Sequence, residues 1–261
     1  TRQPADNPVY LGMMAADGLH VGHFLQLQRR EQAAVQYGWG TAAAARSGDY
    51  LIRSGEEQRS HFYGHSLLLG IDSLVTPVSQ GLTYGLTPWA DTLTTDLFQQ
   101  ARRLGGMAGY AHDDGGTPFT SALIDIVHGD VDFLEVFQFG RMRADLWYAA
   151  LSCGYRIPGA AGSDFPYSMT VHDTWPRLIP PMGPDRMYVA LDGPLEFDGW
   201  MDSVRRGEIL LTNGPLVEFS VDGAPPGGDV DLPAGKSSVR VAAELSHWRT
   251  VGEARLIVNG R

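Results

Sequence analysis

Two short runs, Met107-Ala108-Gly109-Tyr110-Ala111 and Phe133-Leu134-Glu135-Val136-Phe137, are apolar at nearly every position. A strand with one face in water alternates apolar and polar residues. A run that is apolar on both sides is buried on both, which is the habit of parallel sheets covered by helices. Helical patterns lie between such runs. Leu93, Leu97, Phe98, Ala101 and Leu104 share one face before Gly105-Gly106, Ser121 to Val127 stops at Gly129, and Met142 to Cys153 stops at Gly154. Glycine after the last turn is the usual helix stop. A strand near Ile157 then leads to Gly162-Ser163-Asp164. The alternation predicts βαβ units and an α/β fold. Upstream, Val9 to Asp17 reads as a helix ending at Gly18, Leu19-His20-Val21 as a short strand, His23 to about Tyr37 as a helix, and Leu51 to Ile71 as mixed strand signals.

From about Glu208 the texture changes. Val217 to Val221, Val239 to Ala243 and Arg255 to Val258 read as strands separated by Gly- and Pro-rich turns, so residues 208–261 are expected to form a small β module, the start of a sandwich, after an α/β domain of residues 1–207. The chain opens on Thr1 with no visible leader, and its closing Asn259-Gly260 hairpin signal is followed only by Arg261. Both ends read as cuts from a longer protein, so the compartment is left unassigned.

Thirty acidic residues against twenty basic ones give a net charge of −10, which argues against a nucleic-acid partner, and no apolar run is long enough to span a membrane. A small-molecule substrate is the expected partner. Cys153 is the only cysteine. An internal disulfide and a thiolate zinc cluster are therefore excluded, and any metal must use His and carboxylate ligands.

Such residues close several of the strands. His65 follows Glu57 in Gly64-His65-Ser66, His112 ends the first apolar run, Glu135 sits inside the second, and Asp164 ends the strand near Ile157. Strand ends are where α/β barrels place their chemistry, and a shared divalent cation would pair buried imidazoles and carboxylates. Each residue alone also fits a hydrogen-bonded cap. His20 and His23 near the early strand are candidate supporting residues, as is Glu135. Gly64-His65-Ser66-Leu67-Leu68 lacks the closing glycine of a nucleophile elbow, and Leu104 to Gly109 lacks dinucleotide-loop spacing.

Gly55-Glu56-Glu57, Gly64-His65 with Leu67-Leu68-Leu69-Gly70, Ala111-His112 and Gly162-Ser163-Asp164 resemble successive motifs of PHP-type metallohydrolases. Arg206 to Leu216, with Val221-Asp222-Gly223 and Val258-Asn259-Gly260, resembles the C-terminal signature of their CehA/McbA branch, named for carbaryl hydrolases. The resemblance implies a distorted (β/α) barrel of PHP type, incomplete at its N-terminus. It further implies metal ligation by Glu57, His65, His112 and Asp164, with Glu57 bridging. The family's opening His-x-His has no counterpart here, and Phe165-Pro166 stands where its final Asp-x-His would end.

The expected function is a hydrolase that activates water with one or two ions of Zn, Mn or Fe against an ester, carbamate or related carbonyl. Phe165, Tyr167 and Trp175, just past Asp164, would offer an apolar wall to an aryl group. A phosphoesterase is the alternative within the same chemistry, with Arg141, Arg143 and Arg186 as its nearby cations. A non-catalytic binding or scaffold protein with a degenerate site is the alternative outside it.

Overall fold

A computed structural model describes residues 1–117, 120–165 and 182–260. Helix α1 (Asn7–Asp17) has Pro8 in its first turn and ends at Gly18 in the left-handed conformation. It buries Leu11 and Met14 against Ile52. The chain then runs through β1 (Val21–Arg29), β2 (Gln32–Ala34), β3 (Ala45–Ser47), β4 (Tyr50–Ser60), β5 (Gly64–Leu69) and β6 (Ser79–Gln80). Next come α2 (Gly81–Tyr84), α3 (Thr94–Arg103), β7 (Met107–Tyr110), α4 (Ala122–His128), β8 (Phe133–Gln138), β9 (Arg141–Met142), α5 (Asp145–Ser152) and β10 (Gly159–Ala161). The later part holds β11 (Arg186–Val189), α6 (Phe197–Arg206), β12 (Ile209–Thr212), β13 (Leu216–Val221) and β14 (Val241–Ser246).

The main sheet runs β10-β8-β7-β5-β4-β1-β2. Strands β1, β4, β7, β8 and β10 point the same way, while β5 is antiparallel to both of its neighbours. Consecutive residues go to opposite faces. Leu68, Ala108 and Leu134 pack in a core with Leu97, Phe98 and Ile126 of α3 and α4. Leu69, Met107 and Phe133 pack in a second core with Phe197, Trp200, Met201 and Val204 of α6. Both faces are covered, as the unbroken apolar runs require.

The α/β class and most elements follow the sequence reading, and four points differ. The sheet path is open: its ends, β10 and β2, are not joined among the described residues, so the expected barrel closure is not seen. The segment from His23 to Tyr37 is no helix but β1, a turn and β2. Val21, Phe24 and Leu25 mimic helical spacing, but β1 lies inside the sheet, bonded to β4 and β2, and that pairing overrides the local pattern. Helix α5 begins at Asp145, not Met142, because Phe139 and Gly140 both take positive φ and fold β9 back onto β8. Its first turn is held by Asp113, whose carboxylate accepts the Leu146 and Trp147 N–H groups at 2.9 and 3.2 Å. Finally, β13 and β14 pair antiparallel, but Arg255 to Val258 forms no strand among the described residues, having no partner there to complete its hydrogen bonds. β12, just past residue 207, pairs with β11, and its Ile209 and Leu211 pack on the two cores.

Glu56 lies opposite Leu68 on β4 and is fully buried. Its carboxyl accepts the Val75 N–H at 2.9 Å and a Gln58 amide hydrogen, straps that fix the loop after β5. Burial pushes its pKa up to about 8, with the two hydrogen bonds pulling the other way. A proton held more tightly in the folded chain stabilises it fully below the ordinary glutamate value. That stabilisation is lost as pH rises toward about 8. Glu56→Gln is expected to flatten this dependence and to raise the melting temperature above pH 8, read from thermal unfolding at a series of pH values.

Candidate metal and substrate site

Because β1, β4, β7, β8 and β10 are parallel, their C-terminal ends share one edge of the sheet, and the reversed β5 brings its N-terminal end to the same edge. There a cavity of about 530 Å³ opens, lined by Glu57 and Arg59 of β4, His65 of β5, Tyr84, His112 after β7, Glu135 and Gln138 of β8, and Asp164 after β10, among others. All four residues expected as metal ligands, and Glu135, therefore face one cavity. This is where open α/β sheets place ligands.

Two glycines allow the approach. Gly64 starts β5 at φ 89°, and a Cβ there would stand 2.6 Å from the Gly115 oxygen. The His65 N–H donates to that oxygen at 2.8 Å, and the Ala111 N–H donates to the His65 oxygen at 3.1 Å. The loop after β7 is so drawn onto β5 that the His65 and His112 rings lie 5.5 Å apart. His112, Asp113 and Asp164 all have positive φ (59°, 71° and 51°), an uncommon conformation for residues other than glycine that clusters at functional sites. The His112 turn is held by Glu135, whose carboxylate accepts the His112 N–H at 3.3 Å and whose main-chain oxygen accepts the Asp113 N–H at 2.7 Å.

The floor of the cavity is crowded with acids. Glu57 accepts a hydrogen bond from Arg59 Nε at 2.7 Å, both side chains being buried. The same Glu57 oxygen stands 3.4 Å from His65 Nδ1. Burial pulls the His65 pKa down to about 4 against the opposing pull of Glu57, and it lowers that of His112 too. Both imidazoles are thus neutral at pH 7, the form that binds metals. Burial, helped by the repulsion of neighbouring carboxylates, raises Glu135 to about 8 against the pull of the His112 N–H, and raises Asp164 to about 7 against the pull of Arg59.

Both ring nitrogens of His65 are buried and have no hydrogen-bond partner among the described residues. A buried, neutral, unbonded imidazole beside carboxylates that repel one another is a donor set that a divalent cation would satisfy. In chemistry the residues fit such an ion. In arrangement they are not gathered: among the described residues no group of three or more His, Cys, Asp or Glu converges as a metal-holding set. Arg59 supplies the nearest positive charge to Glu57.

The other expected site residues fall elsewhere. His20 stacks on Tyr50 (5.3 Å between centroids) and precedes β1, at the opposite edge of the sheet. His23 packs between Phe197 and Trp200 beside Arg53, in the α6 core. Neither supports the site, because a parallel strand carries its first residues to the edge away from its C-terminal end. Phe165 is not among the cavity-lining residues, and Tyr167 and Trp175 lie outside the described residues. The aromatic lining comes from Tyr84 and Phe139. Tyr84 meets the His65 ring edge-on at 4.9 Å. Sequence reading missed both, and it missed Arg59, although the Glu57-x-Arg59 spacing on a strand places the two side chains on one face.

No family model and no curated protein matches the chain. Among solved structures it is similar to the crystal structure of a two-domain protein containing a predicted PHP-like metal-dependent phosphoesterase from Bacteroides vulgatus, with 14% identity and a TM-score of 0.41. The match covers 62% of this chain and spans 45% of that one. A likeness this distant does not assign the chain to a family.

Gly64→Ala is expected to destabilise the protein by about 2 kcal/mol or more, from positive-φ strain together with the clash at Gly115. Chemical denaturation would measure the loss, and an unchanged midpoint would show that the two loops do not need this contact.

Proposed function

We propose that the chain is a divalent-metal-dependent hydrolase whose cavity at the C-terminal edge of the sheet takes an ester, carbamate or related carbonyl substrate. The observation that carries this reading is His65, whose two buried nitrogens have no hydrogen-bond partner among the described residues, in a cavity shared with Glu57, His112 and Asp164. Those four residues would hold the ion, which when bound supplies Lewis acidity and lowers the pKa of water toward neutrality.

The chain's own groups do the rest. Arg59 fixes the Glu57 carboxylate by its Nε hydrogen bond. Glu135 holds the turn that aims His112, through the main-chain hydrogen bonds it accepts. Tyr84 and Phe139 give the cavity apolar surface against which an aryl or alkyl group can pack and from which water is displaced. No side chain need act as nucleophile.

Phosphoester hydrolysis is the second reading, favoured by a specific observation: Arg59, Arg141 and Arg143 line the cavity. Arg186 does not. Its guanidinium donates to the Gly183 and Asp17 oxygens instead.

Elemental analysis of protein purified without chelator is expected to find one or more equivalents of Zn, Mn or Fe, and less in His112→Ala. The same variant is expected to lose at least about 100-fold in kcat/KM, more than the loss of an outer-shell contact brings about. Aryl esters compared with aryl phosphates of the same leaving group decide between the two readings. Metal near zero in both proteins after reloading, with no turnover of either substrate, would leave a scaffold protein.

A further inference from the structure

At the mouth of the cavity the charge reverses. Arg29, Arg141 and Arg143 line it and are exposed, whereas the acids of its floor are largely buried. Elsewhere the chain's guanidiniums are commonly tied down: Arg102 to Asp132, Arg46 to Glu196, Arg206 to Glu208. Those of Arg29, Arg141 and Arg143 make no hydrogen bond or ion pair with the described residues. Three cations on one cavity with no partner among the described residues stand out in a chain of net charge −10.

Their backbone is held, so their common direction is built in. Arg141 pairs with Gln138 across a two-residue turn whose residues, Phe139 and Gly140, have φ of 54° and 68°. The Gly140 N–H donates to buried Asp185 at 2.7 Å, and the Arg143 N–H donates to the Val136 oxygen at 2.7 Å. Arg29 is the last residue of β1 and pairs with Gln32 across another two-residue turn. Two hairpins thus carry the three side chains to the same edge of the sheet. A guanidinium presents a planar fork of donors that matches a carboxylate or phosphoryl group. Nothing in the described protein consumes these forks.

We propose that Arg29, Arg141 and Arg143 recognise an anionic oxygen group, phosphoryl or carboxylate, carried by the substrate, so that its charged end sits at the rim and its scissile bond over the floor. This rests on the reading of the cavity as a substrate site and does not depend on the metal. The test is calorimetric titration of the protein as purified with phenylphosphonate and with benzoate, neither of which it can hydrolyse. Three proteins are compared: the unaltered chain, the double variant Arg141→Ala/Arg143→Ala, and Arg103→Ala, which removes an exposed arginine outside the cavity.

At least one probe is expected to bind, about 10-fold or more weakly to the double variant and unchanged to Arg103→Ala, with affinity falling as salt is added. Preference for phenylphosphonate assigns a phosphoryl group, and preference for benzoate a carboxylate. No saturable binding of either probe at millimolar concentration, or equal affinity in the double variant, overturns the proposal. Arginine-dependent binding without hydrolysis of any ester would keep this inference and remove the hydrolase.

Discussion

Everything at the candidate site depends on burial of the sheet on both faces. With α3, α4 and α5 against one side and α6 against the other, the faces have no room for a ligand. Only the edges of the sheet remain. Five parallel strands send their C-terminal ends to one edge, so whatever polar residues follow those ends must meet there. Glu57, His112, Glu135 and Asp164 line one cavity because of strand direction, and His65 lines it too because β5 runs the other way.

Desolvation then gives these groups their character. The imidazoles of His65 and His112 lose their protons more readily, the carboxyls of Glu135 and Asp164 hold theirs more tightly, and the Arg59 guanidinium offsets part of the shift at Asp164. Among the described residues the two His65 nitrogens of this floor have no hydrogen-bond partner. The rim is the reverse: exposed arginines that make no hydrogen bond or ion pair with the described residues. The cavity thus joins a floor of largely buried acids to a mouth of exposed arginines.

The cost of this design is visible in the backbone. His112, Asp113 and Asp164 occupy left-handed conformations that β-strands do not end in by preference. Asp113 is held there by hydrogen bonds with the first turn of α5, and His112 by the Glu135 carboxylate. The same contacts that tie strand ends to helix starts also set the ring of His112 near that of His65.

Much of this was legible in the chain itself. Apolar runs without alternation, glycine helix stops and polar residues at run ends are local patterns, and they led to α/β architecture, to β7, β8, α3 and α4, and to Glu57, His65, His112, Glu135 and Asp164. What local pattern could not decide was pairing. Residues 23–37 carry a helical spacing and form a hairpin, because hydrogen bonds to β4 on one side and β2 on the other outweigh a weak propensity. His20 and His23 lie at the wrong edge for the same reason, since the sense of a strand within a sheet is not written in its composition. The convergence of Arg29, Arg141 and Arg143, more than a hundred residues apart in part, and the seating of Arg59 on Glu57 arise only when strands distant in sequence become neighbours. Sequence determined which segments must be buried and which polar groups end them; the tertiary structure decided which of those groups face one another, because only strand order and direction bring distant ends to a common edge.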